Sequence, residues 1–264
     1  MNLLEQLSLY LFPKTRFKSA DRHIEIIDHI ENGRAARVLL YDGVRESGMY
    51  LDEYGDRDPL FNYMKTLKLI LELHPGLNNC LLIGGGGFVF PRLYLKNHPE
   101  RRITVVEMDG GYVELAKKFF GLNPNDKRIT VEIRDGFEYI KEHANETLSS
   151  ASDHIYSSNS RFDIYEKSTA SKKEDKKFDF VIYDAYTGST ASKGILSEYA
   201  LKSVYNMLNP NGIYALNMIN EAQDVISMQT HMLNATLKTI FKHTRIVPCK
   251  GGGNCILLAS DRKL

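Results

Sequence analysis

From residue 79 onward the chain alternates short apolar runs with segments of helical spacing. The apolar runs are Cys80–Gly84, Ile103–Glu107, Ile129–Arg134, Phe178–Asp184 and Gly212–Met218, each of strand length. Between and after them, apolar positions three and four apart predict helices at Pro91–Asn97, Gly111–Phe120, Phe137–His143, Glu198–Met207 and Ala222–Thr239. Strand–helix alternation of this kind predicts an α/β fold with a doubly wound parallel sheet. The tail TRIVPCKGGGNCILLAS predicts two more strands around a glycine turn, a closing antiparallel pair. Ahead of this region, His23 to Tyr50 alternates with period two around Asn32-Gly33 and Asp42-Gly43, both strong hairpin turns. This predicts a small N-terminal antiparallel β-sheet. Pro59 to Leu73 has apolar residues at helical spacing with proline at its start, a lead-in helix to the first parallel strand. The expected organisation is an N-terminal β-hairpin region over 1–58 and a large α/β domain over 59–264. Within the latter, 145–177 is rich in Ser, Asn, Lys, Asp and Glu and reads as a mobile surface insertion. It joins a helix to a strand at the N-terminal edge of the sheet, so it is not expected to be an active-site lid.

The most informative stretch is LLIGGGGFVFPRLYLKNHPERRITVVEMD, Leu81 to Asp109. A strand runs into four glycines, a helix follows, and a second strand ends on Glu107. Glycines at such a bend let the backbone approach a ligand closely. Glu107 follows at close to the ~20-residue spacing at which an acid meets a ribose diol. The order predicts a nucleoside pocket at the C-terminal edge of the sheet. Four acids, Glu107, Asp109, Asp135 and Asp184, stand at or just past strand ends that converge there. Asp135 opens a helix with Gly136, so it is expected to meet an adenine amine, to cap the helix, or both. Asp184 faces the reacting centre as a base or an orienting group. Tyr186 and Thr187 follow it as expected substrate contacts.

Composition narrows the field. The chain has 264 residues, 43% hydrophobic and 25% charged, with 34 basic against 33 acidic side chains. Nothing in this balance favours nucleic acid or an anionic membrane as partner. The eight histidines form no compact cluster, so no metal site is expected. Cys80, Cys249 and Cys255 lack ligand spacing and two stand in apolar strands, which suggests reduced core thiols and a cytoplasmic location. The apolar N-terminus MNLLEQLSLYLF lacks a basic leader and a cleavage site. Its leucines are expected to cover a core edge or a subunit contact, which leaves room for a homodimer.

LLIGGGG, VVEMD, RDGFEYIK and FDFVIYDAY, in this order, resemble the spermidine synthase family, part of the S-adenosylmethionine-dependent methyltransferase superfamily. RVLLYDGVRES and the lead-in helix resemble that family's N-terminal sheet and first helix. The resemblance implies a Rossmann-like methyltransferase sheet over 59–264. It implies cofactor binding by Gly84, Gly85, Gly86, Glu107, Met108, Asp135 and Gly136, and a catalytic aspartate at Asp184. The cofactor would be S-adenosylmethionine or its decarboxylated form, and the partner a small-molecule substrate. Two departures bear on the acceptor. Polyamine synthases usually place an aspartate where Gly87 stands and another at Thr187; a glutamine that helps hold the amine is not apparent in DRDPLFNYMK. Binding a polycation with fewer carboxylates leaves charge poorly compensated. The sequence therefore leads to methyl transfer to an unidentified acceptor, with aminopropyl transfer to a polyamine as the alternative and little turnover of putrescine expected. An NAD-dependent oxidoreductase and a non-catalytic nucleoside-binding protein are the alternatives from other classes. Against the former, Val89 stands where the third fingerprint glycine belongs, and Asp135 and Asp184 would be idle.

Overall fold

The computed structural model describes residues 3–21, 23–55, 57–143, 177–187, 190–191, 194, 196–220 and 225–264. The expected insertion over 145–177 lies almost wholly outside them.

After a helix α1 (Leu3–Leu11), four strands form an antiparallel sheet in sequence order: β1 (Lys14–Lys18), β2 (Ile24–Glu31), β3 (Arg34–Tyr41) and β4 (Val44–Tyr50). The two hairpins turn at Asn32-Gly33 and Asp42-Gly43, all four residues with positive φ, as type I′ turns require. The sequence pattern did not flag α1 or β1. The lead-in helix α2 (Asn62–Leu73) buries Tyr63, Met64, Leu67, Ile70 and Leu71 on one face.

The chain then enters a seven-stranded sheet ordered β12-β13-β11-β8-β5-β6-β7. Its parallel part comprises β5 (Asn79–Ile83), β6 (Arg102–Glu107), β7 (Ile129–Ile133), β8 (Phe178–Tyr183) and β11 (Leu208–Ile219). The tail hairpin of β12 (His243–Pro248) and β13 (Asn254–Ser260) closes one edge, with β13 antiparallel to β11. Between β8 and β11, Tyr186–Thr187 (β9) pairs with Thr190–Ala191 (β10) in a two-stranded sheet. The helices are α3 (Val89–Leu95), α4 (Gly110–Phe119), α5 over 136–143, α6 (Glu198–Met207) and α7 (Met228–Leu237). The predicted helix from Ala222 starts six residues later than expected. Ser227 is its N-cap, its Oγ accepting from Thr230 N at 3.2 Å. This gives the mixed α/β, mainly parallel sheet with a smaller antiparallel one that the pattern predicts.

The central strands are buried throughout, from Cys80 to Ile83 and from Val105 to Glu107, because helices cover both faces. One continuous core joins Ile26 and Leu39 of the small sheet to Leu67, Leu82, Phe88 and Phe120. Polar contacts reinforce that junction. Arg37 on β3 donates to Phe119 O at 2.6 Å, and Ser47 Oγ on β4 accepts from Gly87 N at 3.1 Å. The small sheet is thereby held over the glycine turn. Cys80, Cys249 and Cys255 are buried and free. No helix among the described residues is long and apolar enough to cross a membrane.

Candidate functional site

The C-terminal ends of β5, β6 and β8 meet at one edge of the sheet. β5 lies between the other two, and its chain bends away at Gly84, φ +95°. A Cβ on Gly84 would stand 2.3 Å from Asp184 O, so the backbone of the β8 end can close in only because glycine is there. Gly84 N donates to Val106 O and Asp184 N to Ile83 O, which locks the three strand ends together.

Glu107 ends β6 with 9% of its surface exposed. Its Oε2 accepts from Gly85 N at 2.8 Å and Gly86 N at 3.2 Å, and its Oε1 from Asp109 N at 3.0 Å. Glu107 therefore shapes the glycine turn while lining the cavity. Asp109 caps α4, accepting from Gly111 N at 2.7 Å. Asp135 caps α5 through Oδ1, which accepts from Phe137 N at 2.8 Å and Glu138 N at 3.0 Å. It lines the same cavity.

Asp184 is enclosed by residues the sequence reading did not single out. Tyr63 on α2 donates its hydroxyl to Oδ2 at 2.8 Å, and Asn217 on β11 donates to Oδ1 at 2.7 Å. Asn254 on β13 donates in turn to Asn217 Oδ1 at 3.0 Å. Burial pushes the Asp184 carboxyl up to about 6; the two hydrogen bonds oppose this and the nearby Glu46 carboxylate adds to it. Burial and Asp184 together push the Tyr63 phenol well above its usual range, so it stays a donor. Asn217 had a signal in the sequence: it is the polar residue in the apolar run IYALNMI. Tyr63 had none, being one of 15 tyrosines.

A cavity of about 810 Å³ joins these groups. Gly84, Gly85, Gly86, Glu107, Met108, Asp135 and Gly136 line it together with Asp184, Tyr63, Asn217 and Asn254. Glu46 of β4 forms part of the wall, its Oε2 accepting from the Tyr112 hydroxyl at 3.0 Å. The expected cofactor-binding residues and Asp184 thus share one cavity. Tyr186 and Thr187, two and three residues after Asp184, form β9. Among the described residues no group of three or more His, Cys, Asp or Glu could hold a metal ion.

A family model described as the spermine/spermidine synthase domain matches residues 62–164. A polyamine aminopropyltransferase of Hydrogenobaculum sp. is 21% identical over 92% of this chain and 75% of its own length. Polyamine aminopropyltransferase 1 of Aquifex aeolicus is 24% identical over 89% and 71%. Among solved structures, a probable spermidine synthase of Corynebacterium glutamicum aligns with a TM-score of 0.66 at 18% identity, over 95% of this chain and 81% of that one. The fold is that of spermidine synthase structures. These relatives overturn methyl transfer as the leading expectation. That expectation rested on acids missing at Gly87 and Thr187. The tertiary structure brings Glu46 into the cavity from a separate sheet, so counting acids along the large domain undercounted the site.

Proposed function

We propose that this chain, spermidine synthase-like in sequence and fold, is a polyamine aminopropyltransferase that uses decarboxylated S-adenosylmethionine as donor. One observation carries the reading: a single cavity runs from the Glu107 end, suited to a ribose diol, to a desolvated carboxylate suited to an amine. The names of its relatives supply the group transferred.

In this reading the donor's nucleoside lies along the glycine turn. Glu107 holds the Gly85, Gly86 and Asp109 amides and keeps a lone pair on Oε1 for a ribose hydroxyl. Asp135 Oδ2 takes the adenine amine, with Met108 and Gly136 beside it. The donor supplies a carbon bonded to a sulfonium. A C–N bond forms at that carbon, the C–S bond breaks, and its electron pair neutralises the sulfur of departing methylthioadenosine.

Asp184 holds the acceptor's attacking nitrogen and takes its proton. At neutral pH a carboxyl near 6 is mostly ionised, yet more basic than an ordinary aspartate. Tyr63 and Asn217 fix both oxygens, so the carboxylate meets the amine in one orientation.

The test is incubation of the purified protein with the decarboxylated donor and a series of amines: putrescine, cadaverine and spermidine. Methylthioadenosine and the aminopropylated amine are followed by chromatography. Release of methylthioadenosine that depends on an amine is expected. No product with any amine in the series would sink the assignment.

A further inference from the structure

Residue 46 is the extra residue of a β-bulge. Leu39 pairs with Ser47 and Leu40 with Arg45, so residue 46 is the one inserted between two successive pairs of the β3–β4 ladder. Bulges re-aim side chains, and this one sits where the small sheet meets the glycine turn. It sends two neighbours to the same place. Ser47 Oγ accepts from Gly87 N, and Glu46 lines the cavity with Tyr112 donating to its Oε2. The Glu46 carboxylate is near enough to Asp184 to raise its carboxyl, and its partner Tyr112 also feels Glu107 and Asp109.

Ser47 explains why the glycine turn carries no acid at 87. A Cβ on Gly87 would lie 2.7 Å from Ser47 Oγ and 3.0 Å from Ser47 Cβ. The space into which a longer residue 87 would extend is filled by β4. The carboxylate that β4 brings to the cavity is one residue earlier, Glu46.

We propose that Glu46 is the residue that recognises the donor's aminopropyl end: its carboxylate receives the primary ammonium and repels the additional carboxylate of intact S-adenosylmethionine. This rests on the aminopropyl-transfer reading. Glu46 lines the same cavity as Glu107 and Asp184, and its backbone oxygen lies 4.0 Å from where a Cβ on Gly86 would stand. With the nucleoside on Glu107, a three-carbon chain on the sulfonium extends within this cavity, whose wall includes Glu46. An ammonium there gains a charge-assisted hydrogen bond in a partly desolvated wall. An α-carboxylate on the same carbon chain would face a like charge a few ångströms away.

The experiment is calorimetric titration of the wild type and Glu46→Gln with three ligands: the decarboxylated donor, intact S-adenosylmethionine and methylthioadenosine, which lacks the aminopropyl end. Glu46→Gln is expected to weaken the decarboxylated donor about tenfold or more. Methylthioadenosine affinity should stay within about twofold, and the preference for the decarboxylated over the intact donor should shrink. Equal losses for the donor and methylthioadenosine would make Glu46 a support of the nucleoside end and overturn the inference; so would an unchanged preference. A wild type that binds methylthioadenosine yet prefers intact S-adenosylmethionine would instead overturn the aminopropyl reading, whatever Glu46→Gln does. If Glu46→Gln does not fold, Tyr112→Phe removes only the hydroxyl that orients Glu46. It should weaken the decarboxylated donor severalfold with methylthioadenosine unchanged, and no difference would count against the proposal.

Discussion

Asp184 shows how three neighbours set the behaviour of one carboxyl. Its raised value follows from burial, and Tyr63 and Asn217 keep it from rising further. The sign for activity is direct: lowering the pH through about 6 protonates the group and removes both the charge that holds an amine and the site that takes its proton. The acid limb of kcat/KM for aminopropyl transfer should break near that pH and vanish in Asp184→Asn along with most activity. An unchanged acid limb in the variant would assign the break to another group. For stability the sign is reversed. The folded carboxyl binds its proton more tightly than the unfolded one, so this group's contribution falls as pH rises from about 4 towards 6. Glu107 has a double task. Glu107→Gln places an amide NH₂ against at least one of three backbone N–H donors and removes charge from the ribose acceptor. Loss of about 1–3 kcal/mol in methylthioadenosine binding is expected, with a lower melting temperature. Equal affinity measured by calorimetry would remove Glu107 from the ribose site.

At the level of elements, the β5 turn depends on its neighbour β8. Gly84 has φ +95° and no room for a Cβ against the Asp184 carbonyl. Gly84→Ala should cost about 1–3 kcal/mol in backbone strain alone and push Asp184 away from Tyr63. Thermal unfolding and amine-dependent turnover should fall together; a variant that keeps full activity would show that the turn can relax. Restoring an acid by Gly87→Asp meets an obstacle invisible in the chain order, Ser47 at 2.7 Å from the new Cβ. The turn also holds Phe88, fully buried with φ 56°, a conformation that bulky residues rarely take. Its ring is part of the core that joins both sheets.

Over the whole molecule, the small sheet is a wall of the site, and an ion-pair cluster anchors it. Asp28 on β2 is fully buried; burial alone would raise its carboxyl, but Arg37 and Arg16 bring it below the usual range. Arg37 binds Asp28 through Nε at 2.6 Å and Nη2 at 2.9 Å, and reaches Phe119 O with Nη1. Arg37→Ala leaves a buried carboxylate with a single cation and unties β3 from α4. A loss of about 3 kcal/mol is expected in denaturant unfolding, with weaker donor binding because Glu46 and Ser47 ride on the same sheet. Unaltered stability would show that Arg16 alone compensates Asp28.

The alternation of apolar runs and helical segments determined the doubly wound sheet, because strand and helix periods are local properties of the chain. The Asn-Gly and Asp-Gly dipeptides determined the hairpins for the same reason, and glycine followed by Glu107 marked the nucleoside edge. Asp135 illustrates a local signal with two readings, cap and ligand, and the structure shows the cap directly. What only tertiary structure decided is which distant groups meet Asp184. Tyr63, Asn217 and Asn254 come from a helix and two strands far apart in the chain, and none belongs to a motif. Glu46 reaches the cavity through a bulge, a one-residue register shift between paired strands that leaves no mark in the order of residues. The expectation of methyl transfer counted acids without Glu46. Charge balance in a site is a sum over all walls of a cavity, and a sequence lists those walls without saying which ones face each other.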